Sequence, residues 1–323
     1  MAVTTTPAPV AKKTPLRGEE ASKAVKGAFS GRVATIVVTV VAVLWTIPTV
    51  GLLISSVRPE ADVALNGWWN WFLHPSVTLN NYSEILFSNS FGVSGGLSPY
   101  FVNSLVITIP ATLIPIALAS MAAYALAWIP FRGANIVFFT IFALQVVPLQ
   151  LALVPLLQLY SNSIINLGPL QLTVPLLPHI SGTLASVWLS HCMFAMPLAI
   201  FLLHNFIAQL PKDLMEAARI DGASHFVIFR KIVLPLSTPA LASFAIFQFL
   251  WVWNDLLIAL TFAGGSPATS PITSRLAQLT GSLGSRLNLL TAGAFVAIVI
   301  PLAVFFSLQR YFVRGLLAGS VKG

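Results

Sequence analysis

The chain has 323 residues, of which 57% are hydrophobic and only 8% are charged, and its mean hydropathy is +0.87. Soluble domains carry about 25% charged residues, so a chain of this composition cannot cover its apolar surface in water. The composition excludes a cytosolic enzyme and a disordered protein, and the single Cys192 excludes a disulfide-rich scaffold. The sequence therefore predicts an integral membrane protein, and its net charge of +8 indicates membrane orientation rather than nucleic-acid binding.

The amino-terminal part divides into three predicted segments. Residues 1–32 are rich in Pro, Ala and Lys and predict a disordered basic cytoplasmic tail. Residues 33–57 carry no charge and predict the first transmembrane helix, which is too long for the apolar region of a signal peptide. Residues 58–99 predict an extracytoplasmic loop. Its tryptophans within 68–71 are typical of a membrane–water interface, with carbohydrate stacking as the alternative.

Five further transmembrane helices are predicted in the core segment 100–310. Their limits follow from the charged residues, which cannot lie in lipid unpaired, and from clusters of Gly and Pro. The long uncharged stretch 133–211 is interrupted near its middle by Gly168 and Pro169, so it predicts two spans rather than one. The five predicted spans are residues 100–129, 134–160, 182–206, 239–262 and 289–308.

The distribution of Lys and Arg predicts the orientation of the six spans. With both termini in the cytoplasm, 14 of the 17 basic residues lie on the cytoplasmic side, as the positive-inside rule requires. Residues 311–323 are then a cytoplasmic carboxy-terminal tail. The predicted fold class is an all-α integral membrane protein with six transmembrane helices.

Polar side chains inside the spans are candidates for an aqueous path. Asp255 is the only acid within a predicted span, and we expect it to line such a path with Asn254 beside it. The alternative for Asp255 is a structural pair or a helix cap. Gln145 and Gln248 are weaker candidates, for which interhelical hydrogen bonding is the alternative.

Motifs for catalysis and metal binding are missing from the sequence. There is no Walker A loop, nucleophile elbow or zinc-protease motif, so no catalytic residue is predicted. His191 and His204 are 13 residues apart and do not have the spacing of a metal pair, so no metal site is predicted.

The cytoplasmic loop 211–239 is the most informative segment. Seven charged residues lie between Lys212 and Lys231, so this segment is expected to meet water or another protein. Pro211 predicts the start of a short helix and Gly222 its end, and a second short helix is predicted over 224–233. Two short helices joined by a glycine elbow are suited to docking into a groove of a partner.

The segment EAARIDGASHFVIFRKIVLPLSTP within this loop resembles the EAA loop of ABC importer permeases. The tripeptide WND at residues 253–255 and the ending RYFVRGLLAGSVKG resemble the MalG-type carbohydrate permeases, and the resemblance covers residues 101–323. The positions that match the EAA motif are Glu216, Ala217, Ala218, Asp221, Gly222, Ala223, Leu234 and Pro235.

This resemblance implies a MetI-like permease fold in the cell membrane of a bacterium or archaeon. It implies a second, different permease subunit, two ATPase subunits and an extracytoplasmic sugar-binding protein as partners, with no nucleic acid. ATP and Mg²⁺ would lie on the ATPase subunits, and this chain would bind no cofactor.

The resemblance also implies roles for parts of this chain. The EAA loop would be the coupling helix, with Glu216 paired to a basic residue of an ATPase subunit and Gly222 forming the elbow. The alanines would permit close approach, and residues 315–323 would reach between the ATPases. The carboxy-terminal segment looks most like permeases for α-glucosides such as maltose or trehalose. A stand-alone secondary transporter or channel for a small polar solute is the alternative, but it leaves the EAA segment unexplained.

Overall fold

The computed structural model describes residues 32–88, 96–162, 164–167, 170–173, 179–282 and 286–320. The chain divides into two compact units, residues 1–54 and 55–323. Except for Arg32, the predicted basic tail lies outside the described residues. Helix α1, Arg32–Ser56, matches the first predicted span, and most of its apolar side chains in the first unit are exposed, as expected for a helix in lipid.

The second unit is built from helices and one short hairpin. The helices are α2 (Glu60–Leu65), α3 (Asn80–Phe87), α4 (Ser98–Trp128), α5 (Ala134–Leu144), α6 (Leu149–Asn162), α7 (Leu184–Ile207), α8 (Lys212–Ile220), α9 (His225–Ile228), α10 (Thr238–Trp253), α11 (Leu257–Phe262), α12 (Ile272–Ser282) and α13 (Leu287–Ser320). A 3₁₀ helix lies at Trp68–Phe72. A π-helical turn at Phe229–Val233 extends α9, and one further helical turn follows at Leu234–Leu236.

Six spans are present if bent helices are counted as single spans. Among the described residues, α1, α4, α7 and α13 are each long and apolar enough to cross a membrane. Two bent helix pairs pass the same test when each is taken together, which gives up to six. The six-helix fold class predicted from the sequence is thereby confirmed, while the cytoplasmic location of both termini stays a prediction. Helix α13 continues to Ser320, into the segment predicted as a tail.

Two predicted spans are interrupted, contrary to expectation. The span predicted as continuous over 134–160 is divided into α5 and α6, which meet at 96°. Pro148 explains this break, because it has no N–H for the helix ladder and disfavours helical backbone at Val147. The fifth predicted span ends at Trp253, and the chain turns through 254–256 before α11 begins.

A β-hairpin lies within the long uncharged stretch, where the sequence predicts only a loop. Strands β1 (Ile164–Leu167) and β2 (Leu170–Thr173) are antiparallel, with Ile164 opposite Thr173 and Leu167 opposite Leu170. Gly168 and Pro169, which the sequence predicts to interrupt this stretch, lie outside the described residues. The predicted all-α class therefore holds apart from this one short hairpin.

Small residues bring α4 and α7 together at the centre of the second unit. Ala119 and Ala123 of α4 are fully buried in one cluster with Ala195 and Ala199 of α7. Small residues that recur every four residues along a helix let two helix backbones approach closely. Residues of the loop 211–239 pack against this α4–α7 pair.

Two carbonyl groups released by prolines are bound by side chains from α10. Pro115 cannot donate to the Ala111 carbonyl one turn earlier, and the Gln248 amide donates to that oxygen at 3.0 Å. Pro301 likewise releases the Ala297 carbonyl, which accepts from the Trp253 indole N–H at 2.9 Å. Helix α10 is thus hydrogen-bonded to the proline breaks of both neighbouring helices, which satisfies polar backbone groups in an apolar interior.

Ion pairs and amides attach the segment 58–88 to the residues around the start of α13. Arg286 contacts Glu60 at 3.2 Å and Glu84 at 2.9 Å. The buried Asn288 amide donates to Asn81 at 2.9 Å. A buried apolar cluster of Ile85 with Leu279 and Leu289 adds to these polar contacts.

Candidate functional site

The end of helix α8 accounts for the spacing of the EAA motif. Gly222 N–H donates to the Arg219 carbonyl at 3.0 Å, and Ala223 N–H donates to the Ala218 carbonyl at 2.9 Å. These two bonds form a Schellman motif, in which the residue after the helix cap adopts left-handed backbone. Gly222 has φ = +76°, a conformation that glycine adopts without strain. The motif Ala-x-x-x-Gly-Ala is therefore, physically, a helix stop.

The two alanines that flank this stop form its apolar contact. Ala218 and Ala223 are half-buried and pack against the same cluster, as the third-last helical residue and the residue after the glycine do in Schellman motifs. Asp221 is exposed as the helix cap, and Ser224 begins the next helix by accepting from the Val227 N–H at 3.4 Å. The sequence assigned the alanines only to close approach, and the structure gives two of them this packing role.

The loop is attached to the end of α4 that lies beside it. Met215, Ile228 and Val233 are buried in the cluster formed by α4 and α7. The Tyr124 hydroxyl lies 2.9 Å from His225 Nδ1, and Arg219 donates to the Trp128 carbonyl at 3.0 Å. These contacts pack the loop against α4 and α7.

The face of the loop away from this cluster is open. Glu216 and Ala217 are exposed, and Glu216 has no ion pair within the described part of the chain. Ile220 is 85% exposed and Phe226 is 68% exposed. Apolar side chains that flank a free carboxylate and a small alanine form a surface suited to a partner protein rather than to water.

The last two motif residues lie where the loop returns to a spanning helix. Leu234 is half-buried, and Pro235 opens the final turn before the chain bends by 71° into α10. Pro239 releases the Pro235 carbonyl, and the Thr238 hydroxyl donates to it at 2.8 Å. The second short helix was predicted over 224–233, but helical structure continues to Leu236 before the bend.

Asp255 lies at the break between α10 and α11. Its Oδ2 accepts from the Ala259 N–H at 3.1 Å and lies 3.5 Å from His191 Nε2 of α7. The Asp255 carbonyl also accepts from the Thr273 hydroxyl at 2.6 Å. The carboxylate therefore caps α11 and pairs with a histidine whose side chain is 1% exposed. The sequence offered both structural roles as alternatives but did not identify His191 as the partner.

The other candidates for an aqueous path are separated by the structure. Asn254 is exposed, and its amide donates to the Leu250 carbonyl at 2.8 Å within its own helix. Gln145 is exposed at the break between α5 and α6. Gln248 has no exposed surface and bonds across to α4, which is the interhelical role that was its alternative. Among the described residues, no group of three metal-binding side chains is arranged to hold an ion.

The family model described as "Binding-protein-dependent transport system inner membrane component" matches residues 115–317, more than half of the chain. The chain belongs to this family. It is 50% identical over 291 residues to the osmoprotective compounds uptake permease protein GgtD of a Synechocystis species, covering 89% of this chain and 91% of the relative. It is 52% identical over 271 residues to the alpha-glucoside transport system permease protein AglG of Rhizobium meliloti, covering 84% of this chain and 67% of the relative.

The fold is also that of a solved transporter. A chain from a bacterial ABC transporter involved in import of the acidic polysaccharide alginate superposes with a TM-score of 0.65 over 93% of this chain and all of that chain. The sequence identity is 18%, so this likeness shows the fold alone. It confirms the permease fold that the EAA segment predicted. The matched family region includes the whole loop 211–239, which makes that loop the principal candidate site.

Proposed function

We propose that the chain is a permease subunit of an ATP-driven importer that carries an oligosaccharide of the α-glucoside class across the cell membrane. The observation that carries the proposal is the exposed face around Glu216. This face lies on a helix that ends in a Schellman motif, in a loop joined to the spanning helices of a chain that belongs to the transport family. The similarity to the AglG permease supports the substrate class.

The proposed partners follow from the same features. A second permease subunit of different sequence would complete the pathway, and an extracytoplasmic sugar-binding protein would deliver the substrate. Two ATPase subunits would hold ATP and Mg²⁺ and would receive the loop 211–239. A stand-alone transporter gives no role to an exposed loop that is packed so specifically onto α4 and α7.

The proposal predicts separate outcomes for the chain alone and for the assembled importer. We expect the purified chain alone to show no ATP turnover above background, because its sequence has no Walker A loop. In the native host, deletion of the gene should abolish uptake of radiolabelled maltose or trehalose, and a plasmid copy should restore it. Nucleotide turnover by the isolated chain, or unchanged uptake of every α-glucoside in the deletion strain, would contradict the proposal.

A conservative substitution of Asp255 tests whether this residue, at the break between α10 and α11, lines the aqueous path that the sequence predicts. Asp255→Asn keeps an oxygen that accepts from the Ala259 N–H but removes the charge beside His191. We expect sugar uptake to fall about tenfold at normal expression, since a hydrogen bond to a charged group contributes about 1.5–3 kcal/mol. The measurement is uptake normalised to the amount of chain in the membrane. Wild-type uptake and expression together would restrict Asp255 to the helix cap.

A further inference from the structure

A cavity of about 490 Å³ lies between the α5–α6 break, α7 and α10. Its walls include Gln145 at the break, Met193 and Pro197 of α7, and Trp251 of α10. Met193 and Pro197 are close to the midpoint of the 24-residue helix α7, so the cavity lies about halfway along a helix long enough to cross a membrane. Its volume is within the range of about 300–1,000 Å³ that is usual for small-molecule sites.

The cavity is mainly apolar but contains three available polar groups. Neither the Gln145 amide nor the Trp251 indole N–H has a hydrogen-bond partner among the described residues. Pro197 has no N–H, so the Met193 carbonyl lacks its usual partner one turn later. An acyl chain filling this cavity would leave all three groups unpaired, at a cost for each. An occupant with hydroxyl groups would satisfy them.

We propose that this cavity is a sugar subsite contributed by this subunit, with Trp251 as the stacking platform and Gln145 as a hydrogen-bonding group for hydroxyls. This inference rests on the proposed function. The C–H bonds of a sugar ring suit the electron-rich face of an indole, and the hydroxyls at the ring edge suit an amide and a backbone carbonyl. A wall that is largely apolar with a few polar groups binds a neutral sugar without holding it too tightly to release.

The Trp251 ring also makes an edge contact with a histidine. Its ring centroid lies 5.8 Å from that of His191, with the two planes at 87°. His191 is buried and contacts Asp255, so the pair at the helix break orients the indole. The two features predicted separately at residues 145 and 255 therefore belong to one continuous arrangement through Trp251 and His191.

The test compares sugar transported per ATP hydrolysed by the complete transporter in proteoliposomes, with sugar-loaded binding protein outside. Trp251→Ala should lower this ratio about tenfold, equivalent to about 1.4 kcal/mol, while binding-protein-stimulated ATP hydrolysis stays within about twofold. Trp251→Phe should retain most of the ratio because it keeps a ring. Gln145→Leu should lower it about threefold to tenfold at nearly constant volume.

Phe247→Ala is the matched control, because Phe247 lies one turn away on α10, is 49% exposed and is not part of the cavity wall. A wild-type ratio in Trp251→Ala, or an equal loss in Phe247→Ala, would overturn the subsite. If Trp251→Ala does not assemble, a wild-type ratio in Gln145→Leu would overturn it. Absence of α-glucoside uptake by the wild-type transporter would instead overturn the proposed function.

Discussion

Glu216→Ala is expected to abolish sugar-stimulated ATP hydrolysis by the assembled importer while leaving insertion of the chain into the membrane unchanged. Glu216 is exposed and has no ion pair within the described residues, so the fold of this chain loses no contact with the side chain. Alanine is also the strongest helix former, so α8 should persist. The substitution should instead weaken the proposed interface, because a basic residue of the ATPase subunit would be left buried and unpaired.

Truncating one partner of a buried, hydrogen-bonded charge pair costs about 2–5 kcal/mol. Docking of the ATPase subunit should therefore weaken by a factor between about 30 and several thousand. Co-purification of the ATPase with the permease measures docking, and ATP hydrolysis with sugar-loaded binding protein measures coupling. Both should fall together in Glu216→Ala.

Asp213→Ala is the control for this substitution. Asp213 is an exposed acid on the same helix but outside the EAA motif, and its removal costs only about 0.3–1 kcal/mol of helix-dipole stabilisation. Co-purification should therefore be nearly normal in Asp213→Ala. Wild-type co-purification and wild-type stimulated hydrolysis in Glu216→Ala would show that the loop is not the coupling element.

Local physics made much of the loop predictable from the sequence. The signals that start and end a helix act over only three or four residues. They are a proline at the helix start, a glycine at its end and a serine before the next helix, and the structure places Pro211, Gly222 and Ser224 in these positions. The spans were predictable for a similar reason. A charge is costly in lipid wherever it lies in the fold. Arg32, Arg58 and Arg132 therefore mark the limits of spanning helices, and no knowledge of tertiary structure is needed to use them.

Features that depend on a neighbouring helix were not predictable. The prolines indicated that backbone carbonyls would be released, but not that Gln248 and Trp253 would bind them, because the rotation of α10 determines which side chains reach α4 and α13. The pairing of His191 with Asp255 depends in the same way on the placement of α7 beside the helix break. The two strands of the β-hairpin are only four residues long, which is too short for the apolar periodicity of the sequence to distinguish a strand from other structure.

Replacing Gly222 should separate the shape of the loop from its charge. A Cβ atom built at Gly222 meets nothing within 4 Å, so the cost of a side chain comes from φ = +76° alone. Asn tolerates left-handed backbone, whereas β-branched Val is a strong outlier there, with strain of about 1–3 kcal/mol. Gly222→Val should therefore weaken ATPase co-purification about 5- to 150-fold with normal membrane insertion, and Gly222→Asn should stay within a fewfold of wild type. Wild-type co-purification in both variants would show that the left-handed turn is dispensable. An equal loss in both variants would indicate that the side chain clashes with the docked partner.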